Sequence, residues 1–208
     1  MQITKIRPVN EKKVFIETDE KEGFCLYLGE VKKLGILCGM ELSAEDYRHI
    51  REEILIKRAK KRALYLLNFG RKTEGQLKGK LIRDRYPKDV VQEAVEYAKS
   101  FGYLDDAAFA RDYIELNKDR KSKREMALAL FQKGLSKEEI RQAMEEVYDQ
   151  EDHVNAIRRI LRQKGYDPRE KDEKKRQKII GYLARKGFSW REVQRQMELE
   201  EEEIRSEW

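Results

Sequence analysis

Cysteine is scarce in this 208-residue chain, with only Cys25 and Cys38, 13 residues apart and no Cys-x-x-Cys. That spacing argues against a disulfide framework or a zinc knuckle. Histidine is as rare: His49 and His153 have no second metal-type residue at helical spacing, so neither a metal site nor a cofactor is expected. The three prolines, at 8, 87 and 168, leave long stretches free to be helical. No run approaches the roughly 18 apolar residues of a membrane span. Met1-Gln2-Ile3-Thr4-Lys5 does not open a signal peptide, so a soluble cytoplasmic protein with no membrane partner is expected. Apolar residues are few, 39%, while 41% are charged and the mean hydropathy is −0.88. About 25% charged is usual, so one large globular core is not expected, and an extended helical protein is. Disorder is excluded by the 9% of aromatic residues and the recurrence of Leu, Ile and Val along the chain.

What is abundant is charge, unevenly placed. Residues 1–49 carry a net −1, residues 50–197 a net +12, and residues 198–208 a net −5. Three basic clusters concentrate the excess: Lys57, Arg58, Lys60, Lys61 and Arg62; Lys118, Arg120, Lys121, Lys123 and Arg124; and Lys171, Lys174, Lys175, Arg176 and Lys178. Such blocks either meet a polyanion or an acidic protein surface, or solvate helix faces and pair with Glu at i±4. Their recurrence at comparable places favours a binding face.

Residues 1–42 read as a small three-stranded antiparallel sheet. The strands are Ile3–Ile6, Val14–Ile16 and Phe24–Leu28, with a polar turn at 18–23 between the last two. So small a sheet must pack on the helices C-terminal to it. Ser43, with Asp46 three residues on, caps a long helix. The apolar set Leu77, Leu81, Tyr86, Val91 and Val95 then recurs 49 residues later as Met126, Leu130, Leu135, Ile140 and Met144. A further 53 residues on it recurs as Ile179, Leu183, Phe188, Val193 and Met197. Between the third and fourth positions lies a turn, where Gly134 and Gly187 suit a helix end and Pro87, Ser136 and Ser189 suit the next start. Thr73-x-x-Gln76 and Ser122-x-x-Glu125 read as capping boxes, and the third repeat has Lys175 at that place. Further amphipathic helices at about 44–68, 105–118 and 150–164 precede each pair. The fold class is therefore mainly α, an elongated array of three tandem three-helix repeats (43–104, 105–149 and 150–208) behind a β module at 1–42.

One segment is more specific than periodicity. Phe101-Gly102-Tyr103-Leu104-Asp105-Asp106-Ala107-Ala108-Phe109-Ala110-Arg111-Asp112-Tyr113-Ile114 resembles the Gly-Tyr-Leu-Asp-Asp signature of the bacterial RecX regulatory proteins. In order along the chain, Arg62–Leu67 through Lys72–Leu77 is similar to the family's first helix pair. Leu130-Phe131-Gln132-Lys133-Gly134-Leu135-Ser136 and Lys178–Phe188 resemble later elements. The likeness covers roughly 50–197 and departs at 117–122, which lacks a usual glycine, and at Gly75, where the family favours a helix former. It implies a monomeric modulator whose partner is the RecA–single-stranded-DNA filament, bound in its groove, with ATP hydrolysis and strand exchange suppressed. The candidate contacts to RecA or DNA are then Lys57, Arg58, Lys60, Lys61, Arg62, Arg111, Lys118, Arg120, Lys121, Lys123 and Arg124, and the signature residues Gly102, Tyr103, Leu104, Asp105, Asp106 and Phe109 are structural.

Read as residues, Asp105 or Asp106 caps the helix that comes after Gly102, and Tyr103 with Leu104 forms a buried linker. A metal-dependent nuclease built on the two carboxylates lacks a third ligand or a base at a suitable spacing. Phe109, Tyr113, Phe131 and Phe188 fall on apolar stripes and are expected in cores, Trp190 near the surface. The acidic end, 198–208, is either a solvated helix end or an autoinhibitory mimic of DNA. A stand-alone helical nucleic-acid binder is the other reading of the basic faces.

Overall fold

Alternation along Lys13–Thr18 buries Val14, Ile16 and Thr18 on one face, the period-2 pattern of a half-buried strand. This strand, β2, pairs antiparallel with β1 (Ile3–Asn10) and β3 (Phe24–Tyr27), in the order β1-β2-β3. Register is set by Ile6 opposite Ile16 and by Phe15 opposite Cys25. The computed structural model describes residues 1–20, 23–170 and 172–206. Lys21 and Glu22 of the expected turn, Lys171 of the third basic cluster, and Glu207 with Trp208 of the acidic end lie outside them. The chain divides into two compact units, Met1–Asp105 and Asp106–Trp208.

In the first unit the sheet does not stand alone. Ile3, Val14, Ile16, Phe24 and Leu26 share one core with Ile50, Leu55, Ala59, Ala63, Leu77, Leu81, Val91 and Val95. A short helix unforeseen from the sequence, α1 (Leu28–Lys33), comes directly after β3. Ser43 caps α2 (Ala44–His49), its hydroxyl accepting the Asp46 N–H at 3.0 Å. The long helix expected over 44–68 is not uniform. A π-helical segment, Ile50–Ile56, separates α2 from α3 (Lys57–Asn68) and buries Ile50, Leu55 and Ile56 together. Such wide turns are set by packing, which residue spacing does not encode. The unit closes with α4 (Glu74–Arg83) and α5 (Lys88–Ser100). Thr73 and Gln76 form the reciprocal capping box at 3.1 and 3.2 Å, and Thr73 is fully buried. Thr73→Ala is expected to cost about 1–2 kcal/mol, read as a lower melting temperature, with Thr73→Ser recovering most of it.

The second unit runs α6 (Asp106–Glu115), α7 (Lys123–Gln132), α8 (Lys137–Val147), α9 (Gln150–Gln163), α10 (Glu173–Lys186) and α11 (Trp190–Ser206). Ala110, Ile114, Met126, Leu130, Leu135, Ile140 and Met144 make one apolar cluster. Ala156, Ile157, Ile160, Leu161, Ile179, Leu183, Phe188, Val193 and Met197 make another. Of the fifteen repeat-equivalent apolar positions, all are buried except Tyr86, which is half-buried.

Several local expectations need correction. Phe131 is 55% exposed, because neighbouring Leu130 takes the inward position about 100° round the helix. Ser122 accepts from the Glu125 N–H at 3.1 Å, but the box is not completed. Glu125 instead binds Lys186 Nζ at 2.9 Å, while the Ser122 hydroxyl donates to the Lys186 carbonyl at 2.6 Å. The cap of α10 is Asp172, which accepts the Lys175 N–H at 3.1 Å, so that helix starts three residues before the repeat-equivalent place. The acidic end continues α11, where Glu201 binds Arg176 at 2.6 Å and Glu203 binds Arg158 at 3.3 Å.

The three repeats end their middle helices alike. The N–H groups of Tyr86, Leu135 and Phe188 reach back to the carbonyls of Leu81, Leu130 and Leu183 at 3.3, 3.3 and 3.1 Å. This is the Schellman closure, which needs a left-handed residue just before the bond. Gly134 and Gly187 supply it, both at φ +96°. At the equivalent place the first repeat has Arg85, at φ +65°, a conformation costing an L-residue with a side chain roughly 1–2 kcal/mol.

Candidate nucleic-acid interface

Helix α3 turns Ala59, Ala63 and Leu66 into the core of the first unit, so the helical period leaves Lys57, Arg58, Lys61 and Arg62 facing away from it. Their surroundings differ. Lys57 pairs with Glu53 one turn back at 2.5 Å. Arg58 is half-buried: its guanidinium donates to the Cys25 carbonyl at 3.2 Å, pairs with Glu30, and lies 4.6 Å from the Tyr27 ring centre. Arg58 thereby ties the helix to the sheet. Lys60 sits 4.9 Å from the Tyr97 ring. Arg62 binds Asp84 at 2.7 Å and stacks on Tyr65 at 5.3 Å. Lys61 is exposed.

Arg58, Lys61 and Arg62 line a cleft of about 530 Å³, with Val9, Asn10, Lys13, Cys25 and Tyr27 from the sheet side and Arg83, Asp84, Arg85 and Tyr86 from the end of α4. Six cations face one carboxylate there. Lys13, Arg83 and Arg85 were not legible as site residues, because the cleft is assembled from segments far apart in sequence. Burial pushes the Cys25 thiol up, against the opposing pull of Arg85, Lys13 and Arg58. Burial also pushes the Tyr86 hydroxyl up to about 12. A tyrosine raised in the folded state holds its stabilisation fully below the ordinary value of about 10 and loses it as pH rises through its folded value. Tyr86→Phe is therefore expected to flatten the fall in melting temperature between about pH 10 and 12.

In the second unit the basic candidates are mostly engaged in holding helices together. Arg111 meets Glu146 at 3.3 Å. Lys118 bridges Glu115 at 3.1 Å and Asp152 at 3.4 Å. Arg120 donates to the Leu116 carbonyl at 2.8 Å, and Lys121 to the Tyr113 hydroxyl at 2.9 Å. Lys123 lies 4.9 Å from the Tyr148 ring, and both it and Arg124 are exposed.

The signature segment divides between the units. Gly102 takes φ +71° after α5, and Leu104 is buried in the first core. Tyr103, expected with it as a buried linker, is 56% exposed and stacks on Phe101 with ring centres 6.3 Å apart. Its N–H closes back on the Ala98 carbonyl at 3.0 Å, which hands the inward position to Leu104. Asp105 precedes α6 and Asp106 opens it, while Phe109 is half-buried against the Ala110–Ile114 core. Among the described residues no group of three or more His, Cys, Asp or Glu could hold a metal ion, and no helix is long and apolar enough to cross a membrane.

Residues 59–97 match the RecX first three-helix domain and residues 150–197 the RecX third three-helix domain. The regulatory protein RecX of Caldanaerobacter subterraneus subsp. tengcongensis is 32% identical over 167 residues, covering 80% of this chain and 82% of that protein. The regulatory protein RecX of Clostridioides difficile is 26% identical and covers 93% of this chain and 92% of its own. The fold is similar to a crystal structure of regulatory protein RecX, with a TM-score of 0.61 at 21% identity over 93% of this chain and 97% of that one. It is similar also to RecX from Lactobacillus salivarius, with a TM-score of 0.57 at 20% identity over 71% of this chain and 97% of that one.

Proposed function

The chain belongs to the RecX family of regulatory proteins, and on that footing we propose that it is a non-catalytic, cytoplasmic regulator of recombination and DNA repair. It binds in the groove of the RecA–single-stranded-DNA filament and lowers RecA ATP hydrolysis and strand exchange. The observation that carries this reading is the relationship over four-fifths of both chains to a protein named as a regulator.

The physical route is indirect. Each unit offers exposed cations, Lys61 in the first and Lys123 with Arg124 in the second, and many moderate contacts to one polymer add as avidity. A ligand that contacts neighbouring filament subunits favours the arrangement it fits best, and turnover at their interfaces falls if that arrangement is the less active one. The test is to mix the protein with labelled single-stranded DNA, with and without RecA filament. Tighter binding to the filament than to bare DNA is expected. Equal binding with and without RecA would contradict the reading and indicate a stand-alone nucleic-acid binder.

A further inference from the structure

We infer that the cleft between the sheet and the first helical repeat is a site for the phosphodiester backbone of single-stranded nucleic acid, and that Arg85 is kept in its left-handed conformation to serve it. This rests on the proposed regulatory role only in taking single-stranded DNA as the polymer met.

The first argument is the repeat itself. The middle helices of the three repeats end in the same Schellman closure, twice through glycine and once through Arg85 at φ +65°. Glycine would meet the backbone requirement of that turn without strain. An unfavourable backbone retained where two equivalent turns avoid it points to a side chain needed for something other than the fold. That side chain lines the cleft, its guanidinium 5.1 Å from the Phe15 ring centre.

The second argument is charge. Lys13, Arg58, Lys61, Arg62, Arg83 and Arg85 line a space in which Asp84 is held by Arg62 and Arg58 is paired with Glu30, which leaves an excess of about four positive charges. Like charges around a concavity focus a positive potential into it. Four of the six are arginine, whose planar fork matches phosphate oxygens two at a time.

The third argument separates nucleic acid from an acidic peptide. Arg62 leads out of the cleft onto Tyr65, and Tyr65 meets Phe69 with ring centres 4.8 Å apart. These rings are 54% and 71% exposed. Exposed aromatics beside a basic cleft are what unpaired bases stack on, and a carboxylate-rich peptide has no use for them.

The test measures binding of a fluorescent oligo-dT by anisotropy, without RecA, for the wild-type protein and for Arg85→Gly, Arg85→Lys and Lys61→Ser. Arg85→Gly is expected to melt at the same temperature or a few degrees higher and to bind about fivefold to tenfold more weakly, the size of one lost charge-assisted contact. Arg85→Lys, which keeps the charge but loses the fork, should bind between the wild type and Arg85→Gly, and Lys61→Ser, at an exposed position, should weaken binding with the fold unchanged. Wild-type affinity in both Arg85→Gly and Lys61→Ser would overturn the proposal, as would binding of poly-glutamate as tight as that of oligo-dT. RecA ATP hydrolysis measured in parallel keeps the two readings apart. A wild-type protein that leaves RecA unaffected refutes the regulatory role, whereas the cleft stands or falls on the oligonucleotide alone.

Discussion

Gly187→Ala is expected to destabilise the second unit by about 2–3 kcal/mol, the sum of a backbone and a packing effect. Gly187 closes α10 at φ +96°, where an L-side chain is strained. A Cβ built there lies 3.0 Å from both Arg124 Cβ and Ser122 Oγ. Ser122 cannot yield freely, because its hydroxyl donates to the Lys186 carbonyl at 2.6 Å and accepts the Glu125 N–H at 3.1 Å, the cap of α7. Displacing it removes a cap worth about 1 kcal/mol. The change is read by urea denaturation. A loss under about 0.5 kcal/mol, the range of a neutral surface substitution, would mean that neither the backbone nor the Ser122 cap constrains this junction. Arg85→Gly, at the equivalent turn of the first unit, is expected to go the other way.

The second large effect concerns salt. If the cations of the first-unit cleft engage about four phosphates of a single strand, log affinity falls with log salt at a slope near −2.8, from about −0.7 per phosphate. Between 50 and 200 mM salt the affinity for oligo-dT is then expected to drop about 50-fold. A stacking-dominated mode on Tyr65 and Phe69 would leave the slope shallow, and a flat response would remove phosphate contacts altogether. The slope therefore separates the two components of the proposed site.

Much of the fold was legible because apolar spacing is a physical requirement of burial. The set from Leu77 to Val95 and its two copies marks the inner faces, and the structure buries them or, at Tyr86, half-buries them. Caps at Ser43, Thr73 and Ser136 were legible for a similar reason, since each acts within three residues of itself. What escaped depends on neighbours distant in sequence. Glu125 leaves its capping box for Lys186, 61 residues away. Tyr103 gives up the core to Leu104, and Phe131 to Leu130, because alternation along one turn admits only one of two adjacent apolar residues. The candidate site was legible in half: Arg58, Lys61 and Arg62 of the cluster at 57–62 are the α3 wall of the cleft, while Lys57 and Lys60 lie outside it and Arg58 is largely spent on Glu30 and Cys25. Lys13, Arg83 and Arg85 join it only through the fold. The one available clue was register, since Arg85 stands where Gly134 and Gly187 stand in the later repeats.

The regulatory role is tested most directly by RecA ATP hydrolysis on single-stranded DNA with this protein titrated in. A saturable decline, reached at fewer copies of this protein than of RecA, is the predicted result. Hydrolysis unchanged at a large molar excess, under salt where the protein still binds DNA, would contradict it.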